Sequence, residues 1–335
     1  MKLPRLRFSA RLSTLIVFSS LSCLAVHFGQ ARRAMTAADV KGLMSKLSNW
    51  GRWGKDDQLG TMNLVTPAKR QQSTQLVKEA FAVSLARSVD REKAVDNPSP
   101  FLHRMEFPPP VGISTRFFSD TYSVSYHGHS ATHIDALCHM SVEGKMYNGF
   151  AASRVTEKGA QALAIDSLKS GVLTRGVLVD IPQLKGLEYL EPEAAIYPED
   201  LDAWEKKTGL KIGSGDVVLL RTGRWARRAA KGAWDATTHA AGLHASCAAW
   251  LKARDIAMLG SDNASDLLPS GIEGVSHPVH QLMIVAAGVH ILDNADLEAL
   301  SKAASSRRRW EFLFVLSPLV VQGGTGSPVN PLAIF

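Results

Sequence analysis

The stretch SYHGHSATHIDALCHM, residues 125–140, carries four of the chain's eleven histidines, His127, His129, His133 and His139, together with Asp135. Imidazole nitrogens joined by a carboxylate are a ligand set for Zn2+, Mn2+ or Fe2+. Neutral imidazole binds at pH 7, the carboxylate supplies charge and can bridge two ions, and an open position on the ion activates water. A histidine not consumed as a ligand can serve as general base or acid, and His139 is the candidate for that role. His127 precedes the tightly spaced core and is expected beside the ligands or against substrate. The competing reading is a hydrogen-bonded histidine network without an ion.

The spacing restricts the backbone that can carry this set. On one continuous helix Asp135 falls about 200° on from His133, at about 100° per residue, so a single helix cannot converge them. An extended piece puts His133 and Asp135 on one face by its period of 2, with His129 and His139 delivered from turns at either end. Just before it, TYSVSY has strand-type alternation, and RGVLVDI, DVVLLRTG, IAMLGSD and WEFLFVLSPLVV are further strand signals. Helical patterns lie between them: PEDLDAWEKKTG stopped by Gly209, HASCAAWLKARD, and PVHQLMIVAAG with Pro278 at its start and Gly288 past its end. Thr66 and Pro67 open another at PAKRQQSTQLVKEA. Interleaved strands and helices predict an α/β domain with a mixed sheet. The proline-rich segment from Asp96 to Gly112 reads as an irregular surface excursion.

Of the 38 Lys and Arg residues, set against 31 Asp and Glu, six lie in the first 34 positions, where no acid offsets them. The rest of the chain is nearly neutral, which disfavours a nucleic-acid partner. MKLPRLRFSAR, then LSTLIVFSSLSCLAV, then GQARRA read as the three regions of a cleavable leader spanning residues 1–34, ahead of one domain over residues 35–335. A genuine leader implies a periplasmic or secreted protein, with no stable membrane insertion after its removal; a true start at Met35 implies a cytoplasmic one. Cys23 falls in the leader, and Cys138 and Cys247 are too few for a disulfide framework and read as buried small residues.

At the histidine cluster the chain resembles the metal-dependent cyclase family that includes bacterial kynurenine formamidases and isatin hydrolases. HSATHIDALCH matches the family's H-x-G-T-H-x-D-x-P-x-H signature, with Ala131 for the glycine and Leu137 for the proline. NWGRWGKDDQLGTMNLVTP, DVVLLRTG, LGSDNAS and GTGSPVNPLAIF extend the likeness over most of residues 49–335. The resemblance implies a swivelling β/β/α-type single domain with a curved mixed sheet, assembled as a homodimer or homotetramer. It also implies a distant histidine and carboxylate completing the metal site, here His280 and Asp293, where the formamidases typically have glutamate.

The expected metal ligands are therefore His129, His133, Asp135, His280 and Asp293, holding Zn2+ or Mn2+, one ion or two. His277 joins His127 as a residue near the ligands or the substrate, and His290 is expected to point away. Trp50, Trp53, Phe117 and Phe118 either line an aromatic slot or pack the core; Arg221 and Arg224 either meet a substrate carboxylate or lie at the surface. The expected activity is hydrolysis of a C–N amide bond, arylformamidase-like, converting N-formylkynurenine to kynurenine and formate as in tryptophan catabolism. The alternatives are a hydrolase that opens a cyclic amide or lactone, a periplasmic metal- or small-ligand-binding protein, and an iron oxygenase.

Overall fold

Short runs rich in Val, Leu and Ile become the interior of one sheet in the computed structural model, which describes Met1, residues 33–112 and residues 115–335. The expected leader with Cys23 lies, but for its ends, outside the described residues. Strands used below, in chain order, are β1 (Ala82–Ser84), β2 (Leu102–Glu106), β3 (Ser119–Ser123), β4 (His133–Asp135), β5 (Val172–Asp180) and β6 (Val217–Arg221). They continue as β7 (Met258–Ser261), β8 (His290–Asp293), β9 (Glu311–Leu316), β10 (Gly326–Pro328) and β11 (Leu332–Ile334).

Nine of these form a mixed sheet in the spatial order β1-β11-β9-β5-β6-β7-β8-β4-β10. The run β5 to β8 is parallel, and antiparallel pairs flank it on both sides. Every residue of β6, β7 and β8 is buried. That is why these strands read as continuous apolar runs and not as alternation: helices cover both faces of a parallel sheet. The mixed α/β domain over Ala34–Phe335 is the architecture expected from the sequence.

The helices begin where the residues allow. Thr66 accepts from the Lys69 amide and Pro67 opens the helix Pro67–Thr74, which stops six residues short of the expected end. The chain there turns into β1, with Ala80 in a left-handed conformation at φ 52°. The run 198–208 closes on Gly209 as expected. The run expected as one helix over 278–288 is instead a single turn, Pro278–His280, followed by a wider π-helix, Gln281–Ala287, ending at left-handed Gly288.

Two strand expectations shift. The proline-rich stretch contains β2, which pairs with β3 as a hairpin separate from the sheet, so it is not wholly irregular. The run WEFLFVLSPLVV is strand only to Leu316, and its tail, Leu319, Val320 and Val321, is exposed. Cys138 and Cys247 are buried, as expected. Among the described residues, no helix is long and apolar enough to cross a membrane.

Candidate metal centre

The site is built on β4, three buried residues between β8 and β10. The antiparallel register sets Asp293 opposite His133 and Ile291 opposite Asp135, and directly paired residues share a face. His133, Asp135 and Asp293 therefore point to one side, while Ile134 and Leu292 point to the core. On the other edge Gly326 stands opposite Asp135. A Cβ there would come within 2.5 Å of the Ile134 carbonyl oxygen and 2.9 Å of the His127 ring, so only glycine admits His127 to this position.

Four histidines surround the Asp135 carboxylate. Oδ1 faces His127 Nδ1 at 3.0 Å and His133 Nε2 at 3.5 Å; Oδ2 faces His280 Nε2 at 3.7 Å and His139 Nε2 at 3.8 Å. His127 also meets Thr325 Oγ1 at 2.9 Å, and its ring stacks on His139 at 4.0 Å between centroids. His139 leaves β4 through a turn closed by its amide on the Ala136 carbonyl.

His280 arrives from the turn at Pro278, with Nε2 3.2 Å from Asp293 Oδ2. Its other nitrogen, Nδ1, lies 2.6 Å from Asp266 Oδ2, and Asp266 also accepts the amides of Val279 and His280. A proton held at Nδ1 by that carboxylate leaves the Nε2 lone pair for a metal, the usual arrangement behind a ligating imidazole.

His129 stands apart from this group. Its side chain bonds to Asn263 and feels the charges of Asp293 and Arg224. Burial, aided by the Arg224 cation, lowers its pKa to about 4, so the ring is neutral at pH 7.

Two sets of three ligand atoms lie mutually within 4.8 Å: His133, Asp135 and Asp293, and His127, Asp135 and His139. Asp135 belongs to both. Its Oδ1, Asp293 Oδ1 and His129 Nδ1 are buried without a hydrogen-bond partner. Orphaned acceptors of this kind cost about 1–3 kcal/mol each unless something binds them, and all three come from residues expected as ligands. The donor set therefore fits a divalent cation taking imidazole nitrogen and carboxylate oxygen.

The protonation pattern agrees. Burial alone would raise the Asp135 pKa, but the facing imidazoles of His127 and His280 and the charges of His133 and His139 hold it well below the usual carboxylate range. Burial alone would lower His280, but the Asp293 charge, the nearby Asp135 carboxylate and the hydrogen bond to Asp266 raise it well above the ordinary histidine value. His139 is lowered, chiefly by burial, with Asp135 opposing.

The remaining expected residues fall elsewhere. His277, left-handed at φ 50°, sets its ring edge-on to His280 at 5.8 Å. His290 is fully buried, with Nδ1 2.9 Å from the Asp135 carbonyl oxygen, so it supports the strand from behind. Trp50 donates its indole N–H to the Val285 carbonyl and lines a cavity of about 690 Å3 with residues of the helix Ala37–Lys46. The Trp53 ring lies beneath the Arg52 guanidinium. Phe117 and Phe118 are exposed and do not pack the core. Arg221 and Arg224 are buried, not at the surface: Arg221 pairs with Asp180 and Glu298. Arg224 donates to Asn263, Asn294 and the His129 carbonyl.

Sequence reasoning missed Asp266, Asn263 and Asn294. Each is a buried polar residue in a loop, and nothing in local periodicity marks it. The one available signal, for Asn263 and Asp266 alone, was the polar cluster SDNASD at the end of a strand, where sheet sites collect.

The family model described as "Putative cyclase" matches residues 62–265. A solved structure described as a novel cyclase is similar at 29% identity and TM-score 0.78, covering 87% of this chain and 98% of that one. Isatin hydrolase A from Ralstonia solanacearum is similar at 21% identity and TM-score 0.54, over 76% of this chain and 91% of that one. Isatin hydrolase A from Labrenzia aggregata, bound to benzyl benzoate, gives 20% and 0.51, over 78% and 94%. At such identities the isatin hydrolases show a shared fold. No curated protein matches the chain.

Proposed function

The chain belongs to the cyclase family, and from that premise we propose that it is a metal-dependent hydrolase cutting the C–N bond of an aryl amide. The observation that carries this reading is Asp135, ringed by His127, His133, His139 and His280 and facing Asp293 across the strand pair. His133, Asp135 and Asp293, with His280 and His129 at their margin, would hold the ion. Bound there, a divalent metal polarises the amide carbonyl and lowers the pKa of its water.

The remaining work falls to the chain's own groups. His139 Nε2, at 3.8 Å from Asp135, is too far for a hydrogen bond, and its lowered pKa keeps it neutral at pH 7. It takes the proton of the attacking water. The oxygen bonds to the carbonyl carbon, the C–N bond breaks, and His139 returns the proton to the departing nitrogen. Asp266 holds His280 in one tautomer throughout.

Arylformamidase activity on N-formylkynurenine is the first reading of the substrate. Opening of a cyclic amide breaks the same type of bond, and the likeness to structures described as isatin hydrolases supports it as the second. The test is product release from N-formylkynurenine and from isatin by protein reloaded with Zn2+ or Mn2+, beside chelated protein. Metal-restored turnover of either supports a hydrolase and selects between them; metal retained with no turnover of either rejects both substrates.

A further inference from the structure

His129 sits on residues 128–131, a half-buried loop between β3 and β4 with no helix or strand of its own. The carbonyl oxygens of such a loop must find donors elsewhere in the molecule. Two buried side chains supply them. Asn294 Nδ2 donates to the Gly128 carbonyl at 2.6 Å and to the Ala131 carbonyl at 3.2 Å, and Arg224 Nη2 donates to the carbonyl of His129 itself. Asn294 directly follows the expected ligand Asp293 and is fixed in turn: its amide donates to the Asn263 carbonyl at 3.0 Å, and its carbonyl accepts from Thr132 Oγ1 at 2.8 Å. Arg224 joins these parts. Its Nη1 donates to Asn294 Oδ1 at 2.6 Å and to Asn263 Oδ1 at 3.2 Å. Its own amide, with those of Thr222 and Gly223, donates to the Asp262 carboxylate, which fixes the start of the helix that carries it.

We propose that Arg224 is a positioning residue of the metal centre: it holds the loop so that the His129 imidazole meets the ion already in place, and it acts through His129 alone. The inference rests on the reading of this centre as a metal site. Three features select the role. Arg224 is only 2% exposed, yet all three acceptors of its guanidinium are neutral oxygens, and its Nε has no partner. A buried cation with no carboxylate at its side is costly, so its place is not explained by stability. Its planar fork spans acceptors on three separate segments, the His129 loop, the end of β8 and the loop after β7, which the single ammonium of a lysine does not reproduce. Finally, a group ordered before binding gives up less conformational freedom when the ion arrives, and His129, the expected ligand that stands apart from the others, gains most from being held.

The test is titration of the metal-free full chain with Zn2+ and with Mn2+ against a competing chelator, beside its melting temperature. It compares wild type with Arg224→Met, Arg224→Lys, His129→Ala and the double variant His129→Ala/Arg224→Met. The control is Arg254→Met, which strips a partner from buried Glu205 and has no contact with the loop. Arg224→Met is expected to raise the metal Kd by about 10–100-fold, as loss of a group behind a ligand does, and Arg224→Lys by less. Arg254→Met is expected to lower the melting temperature and leave Kd unchanged. In the His129→Ala background, Arg224→Met is expected to change Kd by less than about two-fold, because the residue through which it acts is gone. Wild-type affinity in Arg224→Met or in His129→Ala, or an equal loss from Arg224→Met in both backgrounds, overturns the inference and leaves the metal site standing. A loss of affinity in Arg254→Met as large as in Arg224→Met overturns it too, by assigning the effect to general destabilisation. A wild type that takes up neither ion overturns the metal reading and this inference with it. If Arg224→Met does not fold, Arg224→Lys is carried through the same comparison with His129→Ala and decides.

Discussion

Asp135 and the imidazoles around it show how one carboxylate sorts its neighbours into roles. His280 meets three carboxylates, Asp135, Asp266 and Asp293, and is drawn toward the cation. His129 is neutral because burial and Arg224 suppress its charge. His139, half-buried and stacked on His127, has a depressed pKa and only a long approach to Asp135, so it alone combines a free lone pair with access to solvent. A general base contributes about 10^2–10^4-fold. His139→Ala is therefore expected to lower kcat by that order while leaving metal content, read by elemental analysis, unchanged. Loss of metal from the variant would make His139 a ligand and move the proton-transfer role to another residue.

At the scale of elements, the site depends on a three-residue strand held between two neighbours, and on glycine at one crossing. Gly326→Ala puts a methyl group into the Ile134 carbonyl and the His127 ring, so β10 must separate from β4 or His127 must leave. Overpacking of this kind costs about 1–3 kcal/mol, and the expected result is a lower melting temperature together with weaker metal binding in a titration. A variant with both unchanged would show that β10 can shift without disturbing the carboxylate. These elements were legible to different degrees. The period of 2 that placed His133 beside Asp135 reappears in β4, and the parallel strands announce themselves as apolar runs because both their faces are covered. The π-helix was hidden, since its apolar residues also satisfy an ordinary helical pattern, and β2 was hidden because the prolines around it signal irregular chain. The approach of Asp266 to His280 and of Thr325 to His127 is a tertiary fact with no local trace.

For the whole molecule, the metal centre ties together parts of the chain that are far apart in sequence: β4, β8, the turn at Pro278 and the loop carrying Asp266. An ion bound there binds only the folded state, so it stabilises the domain by mass action, about 2.7 kcal/mol at a free concentration one hundred times Kd. The gain must depend on pH, and the sign follows from His280. Its folded pKa lies well above the ordinary value, so without metal the ring is protonated near neutrality and its contacts with Asp135, Asp266 and Asp293 stabilise the fold. That contribution is complete below the unfolded histidine pKa and is lost as pH rises through the folded one. The ion must displace this proton, so acid favours the metal-free form and alkali favours binding. Melting the protein at pH 6 and pH 8, with and without Zn2+ or Mn2+, is expected to show a metal-induced rise in midpoint that is larger at pH 8. Replacing His280 with glutamine should shrink both the rise and its pH dependence. Equal rises at the two pH values in wild type would mean that the ion is held without displacing the His280 proton, leaving His133, Asp135 and Asp293 to hold it.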